Sequence, residues 1–208
     1  MASTSASIED VRKYARILVI DDQEWPAQAM FERDGYHVER WAEIKNLSQL
    51  TDGHFHVILL DVNGVGLKED PKLQGLGILS AIKGSNVAQP VILYSAAKQG
   101  LSSSTYIQLA DAVLDKKSSY IEFKRQVDDL LLRTASPAYF IAQMNRVLGE
   151  QAALAPRAVP KALRAFSTGR TDRLDRYLRD RLTEPTVAAL ALQVVSVGID
   201  VVGLLNGG

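Results

Sequence analysis

Four short apolar runs, each ending on a polar or ionisable residue, govern what this chain can fold into. They are Ile17-Leu18-Val19-Ile20 before Asp21 and Asp22, Val57-Ile58-Leu59-Leu60 before Asp61, Val91-Ile92-Leu93-Tyr94 before Ser95, and Val113-Leu114-Asp115 before Lys116. Runs of this length, rich in β-branched residues, read as buried parallel strands. In an open α/β sheet the functional groups gather beyond the carboxyl ends of the strands. If the four runs are neighbours, three carboxylates, a hydroxyl and an ammonium converge on one rim. That set suits a divalent metal and a phosphoryl group. Three carboxylates with no cation among them would repel one another, which is a physical reason to expect an ion there.

The rest of the first two-thirds alternates accordingly. Strands are expected over Arg16–Ile20, Tyr36–Trp41, His56–Leu60, Val91–Tyr94 and Ala112–Leu114. Helices are expected over Pro26–Arg33, Ile44–Leu50, Gly75–Ile82, Ser104–Leu109 and Tyr120–Arg133. Pro26 suits a first helical turn, where its missing N–H costs nothing. Ser119 with Glu122 three residues on is a capping-box signal. Strands alternating with helices imply βαβ units, a parallel sheet and helices on both faces. The expected class is α/β, a flavodoxin-like (βα)5 doubly wound sheet followed by a mostly α-helical extension.

Taken singly, each residue has a plain structural reading. An acid pair after a strand can cap the next helix. Asp61 can be a turn residue before Asn63-Gly64, and Lys116 can be a solvated surface charge. Their joint order is what points to a site.

That order resembles the receiver domain of bacterial two-component response regulators, over residues 14 to 134. The resemblance implies that Asp61 is the phospho-acceptor and that Asp21 and Asp22 are the acidic pair. Asp22, Asp61 and the backbone carbonyl of Asn63 would then hold Mg²⁺, with Asp21 acting through a coordinated water. Ser95 would bond a phosphoryl oxygen and Lys116 would neutralise its charge. It further implies a histidine kinase or phosphotransfer protein as phosphodonor. On this reading the chain is a signalling switch and not a turnover enzyme. An aspartate-nucleophile phosphatase would place a second aspartate two residues after the nucleophile, where Asn63 stands.

Three positions depart from the family pattern. The proline usual shortly after the phospho-acceptor is displaced to Pro71, so the loop is longer. Lys117 replaces the proline after the lysine, and Val113 replaces the usual switch aromatic; Tyr94 is aromatic but stands elsewhere. The altered relay motivates a second reading, a phosphorylation-independent scaffold or protein-binding module.

The chain divides into an N-terminal tail (1–13), the receiver-like part (14–134) and a C-terminal extension (135–208). Residues 7–14 are expected to form a helical turn or two. In the extension, helices are expected over Pro137–Leu148 (ended by Gly149), Lys161–Phe166 and Thr171–Leu182, with Gln151–Pro160 as a linker. Asp172 with Arg176 and Asp175 with Arg179 have i,i+4 spacing. Interleaved charges there suggest a solvated, salt-bridged face, so nucleic acid is not the expected partner. Val187–Leu205 is long enough to cross a bilayer. However, Gln193, Ser196, Asp200 and Gly203 form a polar stripe along it, and Asp200 would be costly in lipid. A helix packed in a bundle, within the chain, in a homodimer or against a partner protein, is preferred to a membrane span or a strand.

Formal net charge is zero and there is no cysteine, which excludes a disulfide framework and a thiolate metal site. The start of the chain lacks the apolar segment of a secretory signal. A cytoplasmic location is expected.

Overall fold

The computed structural model describes residues 7–96 and 105–207. Five strands, β1 (Arg16–Ile20), β2 (His37–Trp41), β3 (Val57–Asp61), β4 (Val91–Ser95) and β5 (Ala112–Asp115), form one parallel sheet in the order β2-β1-β3-β4-β5. Residues of β1, β3 and β4 are almost all buried, because helices cover both faces. Ile17, Val19, Val57, Leu59, Ile92 and Tyr94 face one core, and Leu18, Ile20, Ile58, Leu60, Val91 and Leu93 face the other. The near-continuous apolar runs are the result.

Helix α1 (Ile8–Tyr14) precedes the sheet, with Ser7 accepting from the Asp10 N–H as its N-cap. Helices α2 (Gln28–Arg33) and α4 (Tyr120–Thr134) lie on the first face, while α3 (Gly75–Ser85) lies on the second. The expected capping box at Ser119 and Glu122 is formed. The expected helix over 44–50 is not: only a 3₁₀ turn, Ser48–Leu50, forms there. Asn46 is the cause, since its Oδ1 accepts from both the N–H and the hydroxyl of Ser48, a local bond that competes with helix. A second 3₁₀ turn, Thr105–Leu109, precedes β5; the expected helix start at Ser104 falls outside the described residues.

The C-terminal extension continues from α4 through a short joint into α5 (Pro137–Leu148), α6 (Ala158–Thr168), α7 (Asp172–Arg181) and α8 (Pro185–Leu205). The segment read as a linker is instead a 3₁₀ stretch, Gly149–Leu154, running into α6. Helix α8 lies along α5, and their approach is close. A Cβ on Gly198 would sit 2.4 Å from Cγ of Phe140. Side chains of α5 to α8 join the same apolar cluster as α1, α4 and one face of the sheet. Helix α8 is long and apolar enough to span a bilayer by composition, but its inner face is packed against protein and Asp200 is exposed.

The extension docks on the sheet's N-terminal rim. Val197 and Val201 of α8 rest on Gly53, before β3. The hydroxyl of Tyr139 on α5 donates to the Ala88 carbonyl at 3.0 Å, before β4. The amide of Asn206 donates to the Ala135 carbonyl at 2.9 Å, tying the end of α8 to the α4–α5 joint.

Candidate functional site

The opposite rim carries the polar residues. Parallel register sets Ile20 beside Leu60, and Asp61 beside Tyr94, so the residues ending β1, β3 and β4 are neighbours. Ser95 pairs with Asp115, which brings Lys116 alongside. Ligand oxygens of Asp21, Asp22 and Asp61 lie within 4.8 Å of one another; Asp21 and Asp61 are buried and Asp22 is exposed. The Nζ of Lys116 is 2.5 Å from Asp61 Oδ2 and 3.2 Å from Asp21 Oδ2. The amide of Asn63 donates to Ser95 Oγ at 3.4 Å, and its backbone N–H donates to Asp61 Oδ1 at 3.4 Å. All six residues expected from the sequence (Asp21, Asp22, Asp61, Asn63, Ser95 and Lys116) therefore meet at one place.

Electrostatics follow from that crowding. Burial pushes the Asp61 carboxyl above the usual aspartate range; Lys116 pulls it down, and the nearby Asp21 charge adds to burial. Burial opposes the charge on Lys116, yet its bonds to Asp61 and Asp21 hold its pKa above the ordinary lysine value. One ammonium among three carboxylates leaves the rim negative, with room in its charge balance for a divalent cation. An all-oxygen donor set of this kind fits a hard ion such as Mg²⁺ or Ca²⁺.

Two further residues complete the site: Tyr94, legible in the sequence only as an aromatic beside Ser95, and Arg40, which carried no signal there. Tyr94 is buried, and its hydroxyl donates to Asp21 Oδ2 at 2.8 Å. Burial and the Asp21 charge raise its pKa far beyond the ordinary phenol, so it stays a donor. Its ring meets Phe123 of α4 edge-on at 5.9 Å, and Phe123 meets Trp25 at 5.6 Å. Arg40 on β2 donates to the carbonyls of Asp21 and Gln23, pinning the acidic turn.

The long loop after Asp61 is ordered from within. Gln74 has φ of 51°, and its side-chain oxygen accepts from the Gly64 N–H at 2.8 Å. Asp70 N–H donates to Gly66 O, Gln74 N–H to Asp70 O, and Gly75 N–H to Val62 O. Gly75 must lack a side chain, since a Cβ there would come 2.0 Å from the Asp61 carbonyl. Gly64, at φ +82°, passes over the Asp22 carboxylate, 2.7 Å from where its Cβ would be. At the altered positions, Val113 packs half-buried on the second core, and no peptide bond among the described residues is cis.

The sheet, in the order β2-β1-β3-β4-β5, thus carries an acid pair after β1, an aspartate after β3, a hydroxyl after β4 and a lysine after β5. No family model matches the chain, and no curated protein matches it. Solved structures do. The receiver domain of the Francisella response regulator 1452 is 26% identical with a TM-score of 0.48, covering 58% of this chain and 98% of that one. A CheY-like receiver domain protein from Methanospirillum hungatei is 21% identical with a TM-score of 0.47, covering 56% and 93%. The response regulator TrrA from Thermotoga maritima, solved with Mg(2+)-BeF, is 22% identical with a TM-score of 0.45, covering 56% and 98%.

Proposed function

We propose that the chain is a phosphorylation-operated response regulator whose helical extension delivers the output. The observation that supports it most is the buried Asp61 carboxylate, held 2.5 Å from the Lys116 ammonium beside Asp21 and Asp22. On this reading Asp22, Asp61 and the Asn63 carbonyl would hold Mg²⁺, with Asp21 as a further acid beside it, and the metal would supply charge neutralisation on the phosphoryl oxygens.

The chain's own residues do the rest. An Asp61 carboxylate oxygen forms a bond to phosphorus as the P–N bond of a donor phosphohistidine breaks, leaving the donor imidazole and an aspartyl phosphate. Lys116 neutralises an equatorial oxygen, which is much of what phosphoryl transfer asks of a protein. The Ser95 hydroxyl donates to another, exchanging its contact with Asn63. The donor is a histidine kinase or phosphotransfer protein in the cytoplasm, and the chain itself turns over no other substrate. With Val113 at the usual aromatic position, the ring facing the acids is that of Tyr94. Its bond to Asp21 and edge contact with Phe123 offer a route from the rim to α4 and thence to the extension. The output is association of the helices with a second copy or a partner protein.

The test is incubation of the full chain with Mg²⁺ and acetyl phosphate or beryllofluoride, reading intact mass and light scattering against Asp61→Asn. An adduct lost in the variant, with a change in assembly mass, supports the switch. No adduct and no Mg²⁺-dependent beryllofluoride binding leave a receiver-shaped scaffold instead.

A further inference from the structure

Helices α6 and α7 enclose a groove of about 730 Å³, far from the acidic rim in sequence and different from it in chemistry. Its lining holds Arg157, Lys161 and Arg164 on one side and Arg170, Arg173 and Arg176 on the other. Asp172 is the single carboxylate in that lining, so six cations against one anion leave a formal charge of +5. The interleaved charges of the sequence suggested a neutral, self-paired face, but folding sorts them. Asp175 turns to Arg179 outside the groove, and Asp172 pairs with Arg170 rather than with Arg176. Among the described residues, the side chains of Arg157, Arg164, Arg173 and Arg176 have no ion-pair or hydrogen-bond partner.

The cations are held together by the apolar seam behind them. Ala158, Ala162 and Ala165 of α6 and Leu174 and Leu178 of α7 are buried. The turn between the helices passes through Gly169 at φ 66°, in the left-handed region. Tyr177 fixes the entrance: its hydroxyl accepts the Arg157 backbone N–H at 3.0 Å, and its ring lies 5.0 Å from the Lys161 ammonium. Gathering like charges in a concavity is unfavourable for the chain alone, and it focuses a positive field on whatever enters.

We propose that this groove binds a compact polyanion bearing several phosphoryl groups. Five of the six cations are arginines, whose planar fork matches phosphoryl oxygens two at a time. The volume lies within the range of small-molecule sites, ~300–1,000 Å³. Duplex nucleic acid fits less well, because the remainder of α7 and the turn after it add Asp175, Asp180 and Glu184, which a phosphate backbone would have to approach.

Isothermal titration of the full chain with inorganic tripolyphosphate, at physiological ionic strength and without divalent cations, tests this. The expected result is one saturable site per chain, weakened about tenfold or more in Arg164→Ala/Arg173→Ala and unchanged in Arg179→Ala, which lies outside the groove. Binding is expected to persist in Asp61→Asn, so the result is independent of the phospho-switch. Arg164, Arg173 and Arg179 are exposed, and matching thermal melts establish that the variants fold. No saturable binding, or equal weakening in Arg179→Ala, overturns the proposal. So does a short duplex DNA that displaces tripolyphosphate from the groove and binds more tightly, which would make the surface a nucleic-acid interface.

Discussion

The two rims of the sheet are built from the same five strands yet do opposite things. The C-terminal rim leaves charge unbalanced: three carboxylates around one ammonium, two of the carboxylates buried. The N-terminal rim pairs many of its polar groups and lies under the extension, with His56 Nε2 buried there without a partner. There Gln89 donates to the Phe55 carbonyl, Asn86 to the Thr51 carbonyl, and the Arg16 N–H to His56 Nδ1. Groups left poised are available for chemistry, and groups paired and covered hold structure. The acidic rim is the place to look for function, and the covered rim is where stability resides.

Breaking the first rim should abolish chemistry with little loss of fold. Asp61→Asn is expected to eliminate any acyl-phosphate adduct in intact-mass measurements. Its melting temperature should equal or exceed that of the wild type, because a buried charge among like charges is removed. Substantial unfolding would mean that Asp61 is a structural residue and would reverse the contrast.

Breaking the second rim should do the reverse. Phe140→Ala removes a buried ring that closes over Gly198. A cost of about 3–5 kcal/mol is expected in denaturant unfolding, from lost burial and the cavity left behind. Beryllofluoride binding by the folded fraction should persist.

A pH dependence belongs to the covered rim too. Burial, helped by the charges of Arg16 and His54, pushes the His56 imidazole down to about 4 from an ordinary 6.5. Between those values the unfolded chain holds a proton that the folded chain does not, so stability should fall as pH falls from 6.5 towards 4 and level off below. The full effect is on the order of 3 kcal/mol. His56→Asn, whose side-chain oxygen can still accept from the Arg16 N–H, should flatten that part of the profile. Equal slopes in variant and wild type would show that His56 is not sealed by the extension.

Tyr94→Phe is expected to have the smallest effect. It deletes the hydroxyl bonded to Asp21, at an expected cost of about 1–3 kcal/mol for a hydrogen bond to a charged group. Phosphorylation should survive, while any phosphorylation-dependent change in assembly mass should shrink. An unchanged response would remove Tyr94 from the route between rim and extension.

Local and periodic features were legible in the order of the amino acids alone. Strand runs such as Val57–Leu60 must be buried on both faces, wherever they pair. The capping box at Ser119 and Glu122 marks a helix start that the structure keeps. The rim residues were legible because a parallel sheet delivers strand ends to one edge whatever the loops do. Other features depended on which elements meet. The 44–50 segment lost its helix to a side-chain bond at Asn46, a competition that periodicity does not register. Tyr94 became a ligand of Asp21 only when β4 and β1 were set on either side of β3. The charges of α7 are mixed in sign along the chain while those of α6 are all basic, and only the packing of one helix on the other placed the cations on one side and sent Asp175 to the other. Periodicity fixes which face of an element is apolar; the polar faces acquire meaning from the neighbours that tertiary packing provides.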